Sequence, residues 1–300
     1  STTYTITEPF ELLIADTTVS TAIACFGDNE TIKVNVTQGS TAPYIYSVSG
    51  SATETSDATT ATTYSFSVPV GTYTVKVTDA NGCEKSLDPI TLTQSAAALA
   101  VSGVVKPYIG GFQVSCNGAS DGEIDTTVTG GTIGSGYTYA WSVTGGGTDI
   151  SASTSADQLD LKAGTYTVVV TDANGCDQTD SYTLTQPDAL SLDSSQVDFN
   201  GFNVSCFGAL NGEIDLTVTG GTPVYTYEWS SSDGTGYDPT SQDQTDLSSG
   251  TYIVKVTDSN NCEISGTFVV AEPPPLVLTA TLSDFNGFNI SCNAGNDGII

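Results

Sequence analysis

The sequence predicts an all-β chain of tandem immunoglobulin-like sandwiches in a linear array, and three observations carry that prediction. Short stretches alternate apolar and polar residues at period two, as in Tyr166-Thr167-Val168-Val169-Val170. Turns rich in Gly and Asn separate them, and no stretch shows a capped 3.6-residue period. A long motif also recurs, so one fold has to serve each recurrence.

The motif closes as Val-Gly-Thr-Tyr-Thr-Val-Lys-Val-Thr-Asp-Ala-Asn-Gly-Cys over 70–83. It returns over 163–176 and, with Asn261 for the last Gly, over 249–262. It opens as Ser-Cys-x-Gly-Ala followed by Gly-Glu-Ile-Asp, at 115–125 and 205–215, and in part at 291–299. Cys25, Cys116, Cys206 and Cys292 step by 91, 90 and 86 residues, which is a single-domain length. Glu8-Pro9, Gln94-Ser95, Gln186-Pro187 and Glu272-Pro273 mark the exits. The expected division is a last strand of a preceding repeat at 1–8, then repeats at 9–94, 95–187 and 188–273. The start of a following repeat is expected at 274–300, so the chain reads as a window on a longer array.

Each copy offers the same strands in order. The first runs over Ile32 to Val36, Ile124 to Val128 and Ile214 to Val218. The second is Tyr44-Ile45-Tyr46-Ser47-Val48, matched by Tyr137 to Trp141 and Tyr225 to Trp229. The third puts Tyr73, Val75 and Val77 on one face, as it does Tyr166, Val168, Val170 and Tyr252, Val254, Val256. Thr74, Lys76, Ile253 and Lys255 point the other way. Leu161, Gly164 and Tyr166 have the spacing of a tyrosine corner, as do Leu247, Gly250, Tyr252 and Val68, Gly71, Tyr73. Asn-Gly before Cys83 and Cys176 signals a tight hairpin in which both residues accept positive φ, and Asn260-Asn261 does the same.

Composition narrows the function. The 300 residues hold 34 acidic and 6 basic side chains, for a formal charge of −28. A surface so negative repels nucleic acid and anionic lipid. All the basic residues are Lys and there is no His, which removes Ser-His-Asp and Cys-His catalysis. No run of 18 apolar residues exists to span a membrane as a helix. Seven cysteines without a Cys-x-x-Cys pair read as disulfides of an extracellular chain.

Pairing within each copy gives Cys25–Cys83, Cys116–Cys176 and Cys206–Cys262, with Cys292 pairing beyond 300, and a domain that closes its own bridge folds independently. Two rivals stay open: stapled neighbours, Cys83–Cys116 and Cys176–Cys206, or a staggered link such as Cys116–Cys262. Asp121, Glu123, Asp125, Asp172, Asp215 and Asp258 are candidate Ca²⁺ ligands, and no other cofactor is expected. Against this, Asp79, Asp172 and Asp258 suit a hairpin brace, and Lys33 stands where Asp125 and Asp215 do. Tyr137, Tyr139 and Trp141 form either a sugar-stacking strip or core, and Val48 in place of Trp favours core. Asn29, Asn35, Asn203 and Asn289 head Asn-x-Ser/Thr sequons.

Ser205-Cys206-Phe207-Gly208-Ala209, Gly-Glu-Ile-Asp, the Gly220 to Trp229 run and the Gly164 to Cys176 run resemble the SprB-repeat family of Bacteroidetes surface proteins. A related sandwich, of the polycystic-kidney-disease type, shares the Gly-x-Tyr feature. The resemblance implies a non-enzymatic cell-surface adhesin, exported by the type IX secretion system, attached to the outer membrane and in some cases used in gliding motility. It implies surface polysaccharide or other cells as partners, and possible self-association into filaments. Asp16-Thr17-Thr18 and Asp125-Thr126-Thr127 resemble the Bacteroidetes O-glycosylation pattern, with Thr17 and Thr126 as acceptors. The alternatives are a carbohydrate-binding adhesion module and spacer repeats of a larger secreted enzyme.

Overall fold

The computed structural model describes residues 2–5, 11–15, 20–38, 41–150 and 152–299. These contain twenty strands and no helix, so the all-β expectation holds. The chain divides into two compact units, Ser1–Lys106 with Ser120–Thr185, and Pro107–Ala119 with Gln186–Ile300. The division is not sequential, because the segment carrying Cys116 belongs to the second unit.

The first unit begins with β1 (Leu13–Ala15), β2 (Glu30–Gln38), β3 (Ile45–Gly50), β4 (Glu54–Thr55), β5 (Thr63–Val68), β6 (Gly71–Thr78), β7 (Glu84–Ser86) and β8 (Ile90–Leu92). One antiparallel sheet has the order β1-β2-β5; the other has β4-β3-β6-β7, with β8 also paired to β6. Ile32, Val34, Val36, Phe66 and Val68 share one buried cluster with Tyr46, Val48, Tyr73, Val75 and Val77. Period-two alternation accounts for this: β6 buries every second residue and leaves Thr74 and Lys76 partly exposed.

The pattern returns in β9 (Ala100–Val105), β10 (Gly122–Thr129), β11 (Thr138–Thr144), β12 (Gln158–Leu161), β13 (Gly164–Thr171) and β14 (Asp177–Leu184). Their sheets have the orders β12-β10-β9 and β11-β13-β14. Ile124, Trp141, Leu161, Tyr166, Val168, Val170 and Leu184 are all buried.

The second unit holds β15 (Ser191–Gln196), β16 (Gly212–Thr219), β17 (Thr226–Ser231), β18 (Gln244–Leu247), β19 (Gly250–Thr257) and β20 (Glu263–Val270). Sheets β15-β16-β18 and β17-β19-β20 enclose Val204, Ile214, Leu216, Trp229, Leu247, Tyr252, Val254, Val256 and Val270. Residues 274–299 carry no strand, and neither do residues 2–5; the remainder of 1–8 lies outside the described residues.

The tyrosine corners form as expected. The hydroxyls of Tyr73, Tyr166 and Tyr252 donate to the carbonyls of Pro69, Lys162 and Ser248 at 3.0, 2.8 and 2.8 Å. Each bond ties the start of β6, β13 or β19 to the turn before it. Gly220 shows why the preceding Gly-Gly turn recurs: its φ is +75°, and a Cβ there would collide with the Ala189 carbonyl.

The hairpin expectation needs correction. The β6–β7, β13–β14 and β19–β20 connections are five-residue loops, and only the residue before Cys takes positive φ: Gly82 (+84°), Gly175 (+85°) and Asn261 (+66°). The Asn ahead of it is therefore free to use its amide elsewhere.

Candidate functional site

Recurrence is the strongest signal in this chain, and all three copies do the same thing at their closing hairpins. Within each closing hairpin an Asp side chain replaces the missing strand pairing. Asp172 Oδ1 accepts from the N–H groups of Asn174 and Cys176, both at 2.9 Å, and Oδ2 accepts from Thr132 at 2.8 Å. Asp258 accepts from Asn260, Cys262 and Thr222 at 2.8, 2.8 and 2.7 Å. Asp79 accepts from Asn81 and Cys83 at 2.9 and 2.8 Å. Burial works against the Asp172 charge, but the N–H groups of Thr132, Cys176, Asn174 and Gly175 outweigh it and hold the carboxyl below its ordinary range.

The brace delivers Cys and Asn to the surface of the hairpin. In the first unit Cys176 bonds Cys25, with the Cα atoms 5.6 Å apart and 151 residues between them. Asn174 Nδ2 donates to Ala24 O and to Thr132 Oγ1, both at 3.0 Å. In the second unit Cys262 bonds Cys116, with Cα atoms 5.7 Å apart and a separation of 146. Asn260 Nδ2 donates to Ile109 O and Thr222 Oγ1 at 3.0 Å and to Ser115 O at 3.3 Å, while Asn260 Oδ1 accepts from Ile109 N at 3.2 Å.

Both bonds join the opening loop of one copy to the closing hairpin of the next. The within-copy pairings Cys25–Cys83, Cys116–Cys176 and Cys206–Cys262 are thus corrected, as are the stapled pairings; the staggered link is the one that forms. Cys83, Cys206 and Cys292 are free and exposed. The reason is positional. The Cys206 loop is held at the far end of β20, through Gly208 N on Glu272 Oε2 at 2.8 Å and Asn203 N on Ala271 O at 2.8 Å. Cys262 precedes the near end of that eight-residue strand, about 27 Å away at ~3.4 Å per residue. A disulfide needs Cα atoms within about 7 Å. Copies one and two repeat the arrangement, with Gly27 N on Gln94 Oε1 and Gly118 N on Gln186 Oε1. Loop entropy does not oppose the longer link: loops near 60 and near 150 residues differ by only about 1 kcal/mol.

The proposed calcium ligands are not gathered. Asp172 and Asp258 spend their oxygens on backbone N–H groups, and Glu123 lies 3.5 Å from Lys106 Nζ. Asp125 and Asp215 are exposed on strands β10 and β16, and Asp121 precedes β10. Among the described residues no three His, Cys, Asp or Glu side chains stand close enough to hold a metal.

Trp141 and Trp229 are core, only 3% and 4% exposed. Their Nε1 groups donate to Ser155 O and Ser241 O at 2.9 and 2.8 Å, while Tyr137 and Tyr139 are half-buried. Thr126 is buried on the core face of β10, at the position of Val34 and Leu216, so a glycan has no access to it in the folded chain. Thr17 lies outside the described residues. A shallow hollow of about 390 Å³ beside Cys116–Cys262 is lined by Asn117, Asp188, Leu190, Asn261 and Glu263.

Sequence reasoning missed the roles of Asn174 and Asn260, which it read as turn formers. The available signal was the fixed Asn in Thr-Asp-x-Asn-x-Cys beside a variable neighbour, Gly82, Gly175 or Asn261.

No curated protein matches the sequence. Among solved structures, the eight N-terminal immunoglobulin domains of Down syndrome cell adhesion molecule are similar at 12% identity, covering 84% of this chain and 35% of that one, with a TM-score of 0.38. An intimin fragment in complex with the intimin-binding domain of its translocated receptor is similar at 14% identity, covering 62% and 67%, with a TM-score of 0.35. Domains 3–5 of Drosophila OTK are similar at 10% identity, covering 82% and 93%, with a TM-score of 0.30. The family match is more specific: residues 113–146 and 202–234 match the SprB repeat, the family that the cysteine-loop and strand motifs of this chain resemble.

Proposed function

We propose that this chain is a segment of a non-enzymatic extracellular adhesin, a stalk or filament of immunoglobulin-like repeats on a bacterial surface. The observation that supports it most is the staggered cross-link. Each bond ties one copy to the next and recurs with the period of the motif. A catalytic centre has no need of such recurrence, whereas a load-bearing element has. On this reading the repeats are 9–94, 95–187 and 188–273, outer-membrane attachment and type IX export follow from the SprB family, and gliding motility is one use. Surface polysaccharide and other cells are the partners the family offers. The role calls for no cofactor. The buried Trp141 and Trp229 speak against a sugar-stacking platform on these strands.

Mechanical extension tests the reading. Cys25 and Cys262 are 237 residues apart along the chain, but the shortest covalent path uses both bonds and only the 60 residues between Cys116 and Cys176. Single-molecule stretching between these points should stop near 210 Å when oxidised and run to roughly 830 Å after reduction, at ~3.5 Å per residue. Unfolding forces that are small and unchanged by reductant would reject a load-bearing role.

A further inference from the structure

In the second unit the β17-β19-β20 sheet ends at β20. Asp258 N donates to Cys262 O at 3.0 Å, so the facing residues 256/264, 254/266 and 252/268 are the bonded pairs of the ladder. The N–H and C=O groups of Ser265, Thr267 and Val269 therefore point away from the sheet, and all three residues are exposed. The other copies blunt this edge. Copy one breaks it with Asp88-Pro89 between β7 and β8. In copy two Ser181 N donates to Asp180 Oδ1 at 2.8 Å, and the edge strand β15 treats Ser194 N the same way with Asp193 at 2.9 Å. Four residues after the hairpin Cys, where copy two has Asp180, copy three has Gly266, and β20 holds no Lys or Pro. Where the chain itself reaches this edge, it pairs: Asn203 N and Val204 N donate to Ala271 O at 2.8 and 3.3 Å, and Ala271 N donates to Asn203 Oδ1 at 3.0 Å. A further copy follows β14, yet β14 too ends its sheet, so continuation of the chain does not supply a strand.

We propose that this edge takes up an extended segment of a basic partner protein, added as a fourth strand antiparallel to β20. The near end of β20 selects the partner. The hollow of about 390 Å³ beside Cys116–Cys262 opens there, with Asp188 and Glu263 as its charged lining and Leu190 and Ile264 as apolar wall. A Lys or Arg at the C-terminal end of the incoming strand lays its stem on Leu190 and Ile264 and its charge beside the two carboxylates. Lys255 offsets Glu263 only in part, because it also pairs with Glu228. The net charge of −28 draws such a strand in and repels a second copy of this chain. The proposal does not rest on the stalk reading: extension under force tests that one, and binding tests this one.

The probe is the labelled peptide acetyl-Thr-Val-Thr-Val-Thr-Val-Lys-Lys-amide, titrated with the oxidised full-length chain and read by fluorescence anisotropy. It should bind about tenfold more tightly than the same peptide with Pro in place of each Val, which keeps the charge but cannot form a strand. Thr267→Pro removes one donor at an outward-facing edge position, where a strand tolerates Pro, and should weaken binding about tenfold. Asp188→Asn should weaken it about threefold and reduce its dependence on salt. Equal affinity for the two peptides would mean that charge alone holds them and would overturn the proposal. Thr267→Pro and Asp188→Asn proteins that bind the probe as the parent does would overturn it as well. The peptide comparison uses the unaltered chain, so it decides even where Thr267→Pro fails to fold.

Discussion

Asp258 stands on the core side of its hairpin with only 5% of its surface exposed, and it is tolerated because three N–H groups meet it. Hydrogen bonds to a charged acceptor contribute about 1.5–3 kcal/mol each, and buried N–H groups left bare cost more than the bond was worth. Asp258→Ala should therefore lower stability by about 3 kcal/mol in urea unfolding; a loss below ~1 kcal/mol would show that water replaces the carboxylate. Asp172 makes the effect pH-dependent. Its carboxyl is held below the ordinary Asp value of ~3.9, so the folded chain binds fewer protons there than the unfolded chain does. Its contribution is complete above that value and vanishes as pH falls through the lower folded one. Thermal melts should thus lose ground below about pH 4, and Asp172→Asn should flatten that part of the profile.

At the scale of the strand, Trp229 on β17 packs with Phe268 of β20 at 5.8 Å between ring centroids, under the core of the second unit. Truncating a buried Trp removes its transfer energy and leaves a cavity. Trp229→Ala should cost about 3–5 kcal/mol by denaturant unfolding without altering the Cys116–Cys262 bond on a peptide map. The strands themselves were readable because alternation at period two is a local property: Tyr252, Val254 and Val256 fall on the buried face whatever lies opposite. The short edge strands were not readable. In β12 and β18 the pairing with β10 and β16 slips, and the freed N–H groups of Thr126 and Leu216 go to Asp157 and Asp243 at 2.9 Å. Nothing in Asp157-Gln158 or Asp243-Gln244 announces that role to a reader of alternation, although the pair recurs in both copies.

For the molecule as a whole, the covalent pattern is the feature that sequence and structure divide between them. A peptide map of the oxidised protein without reduction should recover Cys25–Cys176 and Cys116–Cys262 in about one-to-one yield, with Cys83, Cys206 and Cys292 alkylated. Recovery of Cys206–Cys262 would mean that the loop and the hairpin meet inside one copy after all. Charge belongs at this scale too. A net −28 keeps near-identical strands from pairing edge to edge, and Lys255, set between Glu228 and Glu263 at 2.9 and 3.2 Å, shows how few positive groups relieve it.

Local chemistry was enough to settle the strand faces, the tyrosine corners and the repeat spacing, because each depends on neighbours within a few residues or on the recurrence of a motif. Which cysteine meets which was settled only in three dimensions. The loop and hairpin of one copy sit at opposite ends of an eight-residue strand, and the distance along β20, not the spacing in the sequence, puts Cys262 within bonding range of Cys116 and out of range of Cys206.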